Sequence, residues 1–472
     1  MTDSQLRAGV ARRTITPPPG IFLIGYGDRA KGNTGVHDDL TATALVLQDG
    51  TVRLAVVALD MLAINEFVVD RVRAHLAPTE VLLCCSHTHS GPIAYAGKGS
   101  PRKNRAYIDS LVEAIVAAVW QAQSQTVPVR LEYACGQANI AINRRERMPD
   151  GHFEIGRNPQ GAVDRSVQVV SVLRDSPLPP PPSGVLRVAS QGEGSGVRER
   201  LATIVNFASH GTVLGPDNPL VSADWIGAMR EQVEEELGGL ALFLQGATAN
   251  LNPDMYWDDA RAFELVAEEG RSVAEAVLTA ARLGSRPAKS PKGEPDEGFE
   301  ELRGLPLGIE RSEAWLPTEA PVTSPRPPRN YAKPLLALAK LPGWMAFLAD
   351  PLLDQRYPWK SRIEARGGHW SVPMRISAVR IGELALAAFA AETFTEIGLA
   401  VKADSPARHT LFASLTDGCI SYLHTESAHA EGGYEVDVAP LAYRYPGRLS
   451  AGCERIARDA VHAALKKLWE SE

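Results

Sequence analysis

Two histidines two positions apart, His87 and His89, stand in the segment Ser86-His87-Thr88-His89-Ser90-Gly91-Pro92, directly after an apolar run that ends at Cys85. Side chains at i and i+2 of an extended segment project to one side. Both imidazoles can therefore face a single site at a sheet edge, where open α/β folds place their ligands. The pair alone is equally consistent with two histidines hydrogen-bonded within a loop. His210 ends a second apolar run, in Asn206-Phe207-Ala208-Ser209-His210-Gly211-Thr212. A lone strand-end histidine is more often structural than a ligand. Glu392 follows an almost wholly apolar run, in Phe389-Ala390-Ala391-Glu392-Thr393-Phe394. A carboxylate there is costly to bury unless it is paired or binds a metal, although a helix N-terminus would also favour it. Two histidines and a carboxylate, with one position left for water, are the minimal ligand set of a hydrolytic zinc site. The chain holds the parts; spacing alone does not show that they meet.

The elements that must position them follow from hydrophobic periodicity. Residues 53–59 read as a buried strand ending at Asp60, and 64–76 as a helix with Ile64, Val68, Val72 and Leu76 on one stripe. Residues 81–85 form the next strand and deliver the H-x-H pair; 107–121 carry Ile108, Leu111, Ile115 and Val119 at helical spacing. The same grammar returns at 203–208, a strand ending near His210, and at 240–244, a strand running into Gln245-Gly246-Ala247-Thr248-Ala249-Asn250-Leu251-Asn252-Pro253. Residues 375–389 read as a hairpin turning at Gly382-Glu383, its second strand delivering Glu392. A final helix covers about 451–469. Alternating strands and amphipathic helices indicate an α/β fold. The pattern is interrupted at 177–197, rich in Pro, Gly and Ser, and at about 284–362, Pro-rich and then apolar. An excursion of that length is expected to be an insertion or lid, with Trp344 and Phe347 as a candidate pocket wall.

With 472 residues and 44% hydrophobic content, the chain can bury a large core. A net charge of −7 argues against nucleic acid or an anionic lipid surface as partner, since either needs clustered Lys and Arg. The five cysteines are odd in number and form no C-x-x-C pair, so neither a disulfide framework nor a thiolate zinc site is implied. No apolar stretch has the length of a signal peptide core or a membrane span. The expectation is a cytoplasmic protein acting on a small molecule, without integral membrane association; a homo-oligomer stays open.

The ordered set is more specific than any of its members. Ala8-Gly9-Val10 through Ile15-Thr16-Pro17-Pro18, then the HTHSGP segment, Asn143-Arg144, His210-Gly211-Thr212, a G-x-x-x-x-x-N-P loop, Glu392 and Tyr422 follow in sequence. Across nearly the whole chain this order resembles the catalytic domain of the neutral/alkaline, non-lysosomal ceramidase family. The resemblance implies a single catalytic domain over 1–472 with a mixed β-sheet core flanked by helices, lacking the family's C-terminal immunoglobulin-like domain. It also implies one zinc ion per chain, held by His87, His210, Glu392 and Tyr422, with a metal-activated water cleaving an amide, linear or cyclic. Tyr422 is chosen because Ser421-Tyr422-Leu423-His424-Thr425, followed by Gly433-Tyr434-Glu435, is similar to the family's Y-x-x-T and Y-E pattern. By the same resemblance His89 carries a proton beside the metal, and Arg144 holds a carbonyl oxygen or developing oxyanion. Asp60 and Asp224 are the acids expected to support the site from behind, orienting histidines or capping helices, with Tyr434 beside them. On composition alone, Arg144-Arg145 reads as a solvated pair, Tyr422 as a core aromatic and Asp224 as a helix-capping residue.

One departure bears on substrate. Where ceramidases present G-D-V-S-P, with a serine at the reacting centre, this chain has Ala249-Asn250-Leu251-Asn252-Pro253. An amide cannot replace a hydroxyl as nucleophile, but Asn252 can still donate a hydrogen bond to a substrate carbonyl. The reading is thus an amidase unlike a true ceramidase in substrate, with an esterase or lactonase and a non-catalytic metal-binding homologue as alternatives. A metallo-β-lactamase-like site requires H-x-H-x-D-H, which Ser90-Gly91-Pro92 excludes.

Overall fold

A computed structural model describes residues 5–26, 29, 31–92, 94, 102–175, 199–255, 260–283, 300–302, 306–323, 362–443 and 445–470. Among them, nine strands form one large sheet in the order Leu240–Gln245, Arg200–Phe207, Ser166–Arg174, Val127–Gln137, Arg7–Thr14, Thr41–Gln48, Arg53–Leu59 and Glu80–Cys85, with Glu300–Leu302 paired to Val127–Gln137 off this path. Strands inside the sheet are antiparallel, but the outermost pair at each end is parallel. Parallel neighbours cannot be joined by a tight turn and need a crossover. Helix Glu66–Leu76 supplies one and helix Trp225–Leu237 the other. Both ends of the sheet are therefore strand–helix–strand units, and the residues following Cys85 and Phe207 leave from the carboxyl ends of parallel strands.

A second sheet, of five strands among the described residues, runs Leu307–Pro321, His369–Ile381, Leu384–Phe389 and His409–Ala413, with Glu364–Arg366 paired to His369–Ile381. The expected hairpin is present: Ile381 pairs with Leu384 across Gly382-Glu383, and Gly382 has φ +60°, which the two-residue turn requires.

Period-two alternation assigns each face. Leu45, Leu47, Leu54 and Val56 share a core with Val379, Ile381, Leu384 and Leu386 of the second sheet. Their neighbours Ala42, Ala44, Val46 and Val57 point the other way, onto Ile108, Leu111, Ile115 and Val119 of helix Arg102–Ser124. At the opposite end Val205, Phe207, Ala241 and Phe243 pack on Trp225, Met229, Val273 and Val277 of helices Trp225–Leu237 and Ala262–Leu283. The outer face of the second sheet, with Leu316, Met374 and Ile376, is covered by Ala457, Val461 and Leu465 of helix Cys453–Glu470. Mixed sheets thus face one another with helices outside, as expected. No helix among the described residues is long and apolar enough to cross a membrane.

One expectation is corrected. The stretch 284–362 is not all insertion: Leu307–Pro321 is a long strand of the second sheet, paired along His369–Ile381. Its prolines and charged residues hide a strand whose buried positions appear only in alternation. The residues proposed as a pocket wall, Trp344 and Phe347, lie outside the described residues, as does 177–197.

Helix Arg102–Ser124 approaches strand Arg7–Thr14 so closely that a Cβ on Gly9 would lie 2.0 Å from the Ala122 carbonyl oxygen. Gly9→Ala is expected to lift the helix end from the sheet and cost about 1–3 kcal/mol, measured as a lower urea midpoint with an unchanged far-ultraviolet circular dichroism spectrum.

Candidate active site

The two histidine loops are built alike. After Cys85 the chain turns, Ser86 N–H donating to Leu59 O (2.8 Å) and His87 N–H to Met61 O (2.9 Å). These bonds hold His87 at φ +65°, in the left-handed region that side-chain-bearing residues adopt only under constraint. His87 Nδ1 lies 2.8 Å from Leu62 O, and His210 Nδ1 lies 2.7 Å from Leu251 O. A ring that donates through Nδ1 to a carbonyl keeps its Nε2 lone pair free, which is how metal-binding imidazoles are oriented. Trp225 Nε1 donates to His210 O at 2.8 Å, tying the second loop to its crossover helix. The loops touch: Thr88 and Gly211 form an isolated parallel bridge, with His89 N donating to Gly211 O at 3.0 Å. Ring centroids are 4.6 Å apart for His87–His210, 4.9 Å for His87–His89 and 5.5 Å for His89–His210. Metal-capable nitrogens of all three lie within 4.8 Å of one another.

Glu392 arrives from the second sheet. Two-residue strands Glu392–Thr393 and Tyr422–Leu423 pair in parallel, setting Glu392 opposite Tyr422. Glu392 Oε2 lies 3.3 Å from His87 Nε2 and 3.7 Å from His210 Nε2, while Oε1 accepts from the Tyr443 hydroxyl at 3.4 Å. Ser421, just before Tyr422, is held at φ +114°. The Tyr422 ring is buried, 5.6 Å from the Arg144 guanidinium carbon and 5.8 Å from the Tyr434 ring.

Burial, then the neighbouring Arg144 charge, pushes the His210 pKa down to about 4. Burial and the flanking His87 and His210 hold His89 well below the usual imidazole range. Burial raises the Glu392 carboxyl, but attraction to the adjacent His87 and His210 outweighs it and holds the group well below the carboxylate range. The lowered pKa values of His89, His210 and Glu392 favour a neutral imidazole and an ionised carboxylate, the forms in which these residue types ligate a cation.

Arg144 and Asn252 close the site. Strand Leu251–Pro253 pairs with Ala141–Arg147, and Arg144 N donates to Asn250 O at 2.8 Å. Arg144 Nε donates to Glu435 Oε1 at 2.9 Å, and its NH1 donates to Asn252 Oδ1 at 3.3 Å and lies 3.3 Å from His210 Nε2. With Asn252 Oδ1 so engaged, the amide N–H groups are left for another acceptor. Arg144 and Arg145 are not the solvated pair that composition suggests: each is 5% exposed, and both bond the buried Glu435, Arg145 at 2.9 Å.

Asp60, expected to orient a histidine or cap a helix, holds a helix through a side chain instead. It accepts from Thr41 N and Oγ1 and from Arg230 NH1, each at 2.8 Å, so it pins helix Trp225–Leu237 to the sheet. Asp224 caps that helix at φ +59°, accepting from Trp225 N (2.8 Å), Leu214 N (2.9 Å) and Val213 N (3.2 Å), and thereby orders the turn after His210 without touching its ring. Burial pushes its carboxyl up to about 6. Tyr434 lies half-exposed at the rim. Residues that the sequence did not single out are Tyr443, Gln245 and the pair Gly25-Tyr26, and Glu435 appeared there only as part of a motif, without a role. The Tyr26 ring lies 4.9 Å from that of His89, and a Cβ on Gly25 would come within 2.6 Å of His89 Nδ1. Only the positive φ of Gly25, +125°, marks it as special, and sequence does not display φ.

The donor set fits a metal ion. His87 Nε2, both ring nitrogens of His89, Glu392 Oε2 and Arg144 NH2 are buried without any hydrogen-bond partner. Buried polar atoms are nearly always paired, and here the unpaired ones include ring nitrogens of His87 and His89 beside the Glu392 oxygen.

A family model described as neutral/alkaline non-lysosomal ceramidase, N-terminal, matches residues 6–247, over half the chain and including both histidine loops. Among solved structures, the chain is similar to a ceramidase complexed with C2, at 20% identity and a TM-score of 0.70, covering 99% of this chain and 76% of that one. It is likewise similar to a neutral ceramidase from Pseudomonas aeruginosa, at 19% identity and a TM-score of 0.68, covering 99% and 75%. At such identities these two establish the fold. A sequence search of curated proteins gives no match. The sequence match across both histidine loops, together with a shared fold over the chain, shows that this protein belongs to the neutral/alkaline non-lysosomal ceramidase family.

Proposed function

We propose that this ceramidase-family hydrolase is a zinc enzyme that cleaves the amide bond of an N-acyl compound other than ceramide. The observation that carries the metal is the pair of unpartnered, buried atoms His87 Nε2 and Glu392 Oε2, set where ring nitrogens of His87, His89 and His210 lie within 4.8 Å of one another. His87 and His210 would ligate through Nε2, Glu392 through Oε2 and Tyr422 through its phenol oxygen. A zinc ion there supplies Lewis acidity, making water a nucleophile near neutral pH and polarising a carbonyl.

The chain's own groups do the rest. His89, its ring packed between Tyr26 and His87 and free of hydrogen-bond partners at both nitrogens, carries the proton from the attacking water to the leaving amine. Arg144 NH2, buried and unpaired, and the Asn252 amide donate to the oxygen on which negative charge develops. Glu435 bridges Arg144 and Arg145 from behind, fixing the guanidinium that faces the site. With Asn252 where the family has a serine, no hydroxyl nucleophile stands at that position; this supports a water-based attack and a substrate other than ceramide.

The wild type is expected to hold one zinc per chain by elemental analysis, and His87→Ala to lose it. Zinc retained stoichiometrically in that variant would refute the ligand set. Chelation should lower the melting temperature, since an ion bound only by the folded state stabilises it by mass action. Asn252→Ala is expected to lower kcat roughly 100-fold with little change in KM, the signature of a donor used only in the transition state; an unchanged kcat removes Asn252 from the oxyanion site. In a screen of N-acyl amides, ceramides, esters and lactones, turnover is expected on amides, and activity confined to esters or lactones would overturn the amidase reading.

A further inference from the structure

We propose that Gln245 is a positioning residue that sets the distance between the two histidine loops and through it the metal affinity of the site; this rests on the zinc reading above. Gln245 is the last residue of Leu240–Gln245 and is fully buried. Its side-chain Nε2 donates to Ser86 O at 3.0 Å and to Ser209 O at 2.8 Å. Those carbonyls belong to the residues immediately before His87 and His210, so one amide group holds each loop a single peptide away from its ligand. The two loops leave different strands at opposite ends of the sheet path, and chain connectivity does not fix their separation.

The chemistry selects this residue type. Both partners are carbonyl oxygens, which only accept, and a primary amide has two N–H groups, one for each. The amide orientation is set by the same fact, because the reversed group would aim its oxygen at two acceptors. Gln245 Oε1 is accordingly buried with no protein partner. The backbone on either side is immobilised as well: Gln245 O accepts from Ser414 N at 2.8 Å, and Gly246 N donates to Phe207 O at 2.8 Å. The amide thus projects from a fixed point. On the far side of the histidines, the Thr88–Gly211 bridge is a second, independent tie. With that bridge intact, loss of the amide should let the loops spread and weaken the site without dissolving it.

Gln245→Glu keeps the shape but sets a carboxylate oxygen against a carbonyl. Gln245→Met keeps the length and supplies no donor; should the charged variant fail to fold, this one carries the same test. Zinc affinity would be measured by chelator competition and the ligand field by the visible absorption of the cobalt-substituted protein, with the urea midpoint of the metal-free form alongside. The expectation is zinc affinity weakened about 10–100-fold, the usual effect of removing a group that orients a ligand, together with shifted cobalt bands. A merely structural glutamine would lower the metal-free midpoint while leaving zinc affinity and the cobalt spectrum as in wild type, and that result overturns the proposal. If wild type itself takes up neither ion, the metal reading falls and this inference with it; wild-type binding with unaltered variants sinks Gln245 alone.

Discussion

The structure turns on an electrostatic conflict at its centre. The Glu392 carboxylate and three imidazoles are buried within a few ångströms of one another, and several of their polar atoms have no partner in the protein. Burying such groups unpaired costs several kcal/mol, and Arg144 adds a cation that disfavours protonating the histidines. Protonating His89 or His210 would relieve part of this, but burial and the Arg144 charge oppose it. A divalent cation relieves all of them together, because it satisfies lone pairs and negative charge at one point.

The rest of the fold holds that arrangement together. Parallel strand pairs at both ends of one sheet release loops from their carboxyl ends, and each loop is fixed by backbone bonds before its histidine is placed. Positive φ at His87, Asp224 and Ser421 concentrates around the site, each a conformation costing on the order of 1–3 kcal/mol and persisting only because neighbouring bonds over-determine it. The second sheet contributes Glu392 and Tyr422 through a short parallel pairing rather than a long strand, so their position depends on how the two sheets pack. The acids that seem natural helpers are used otherwise: Asp60 secures a crossover helix through Arg230, and Asp224 caps the same helix.

A chain of buried charge also runs outward from the centre. Arg144 and Arg145, adjacent in sequence at a register irregularity of one strand, converge on Glu435 of a short π-helical segment nearly three hundred residues later. This pairing converts what composition reads as surface into the floor of the site. It also leaves one buried guanidinium nitrogen of Arg144 without a hydrogen-bond partner.

By itself, the sequence determined the strands and helices that carry the site, since apolar periodicity reports local burial directly: the spans 53–59, 81–85 and the hairpin at Gly382 all reappear. It also displayed His87, His89, His210 and Glu392 at strand ends, where a costly polar residue after an apolar run stands out, and the motif order that named the family. Tertiary structure alone decided which of these meet. Strand Leu307–Pro321 was concealed among prolines and charges, Glu435 showed only as part of a motif, Gln245 had no local signal, and the bond of Asp60 to Arg230 was not readable, because each of these roles is set by contacts between segments far apart in the chain. Periodicity records which side of an element is buried; it does not record what lies on the other side of the contact.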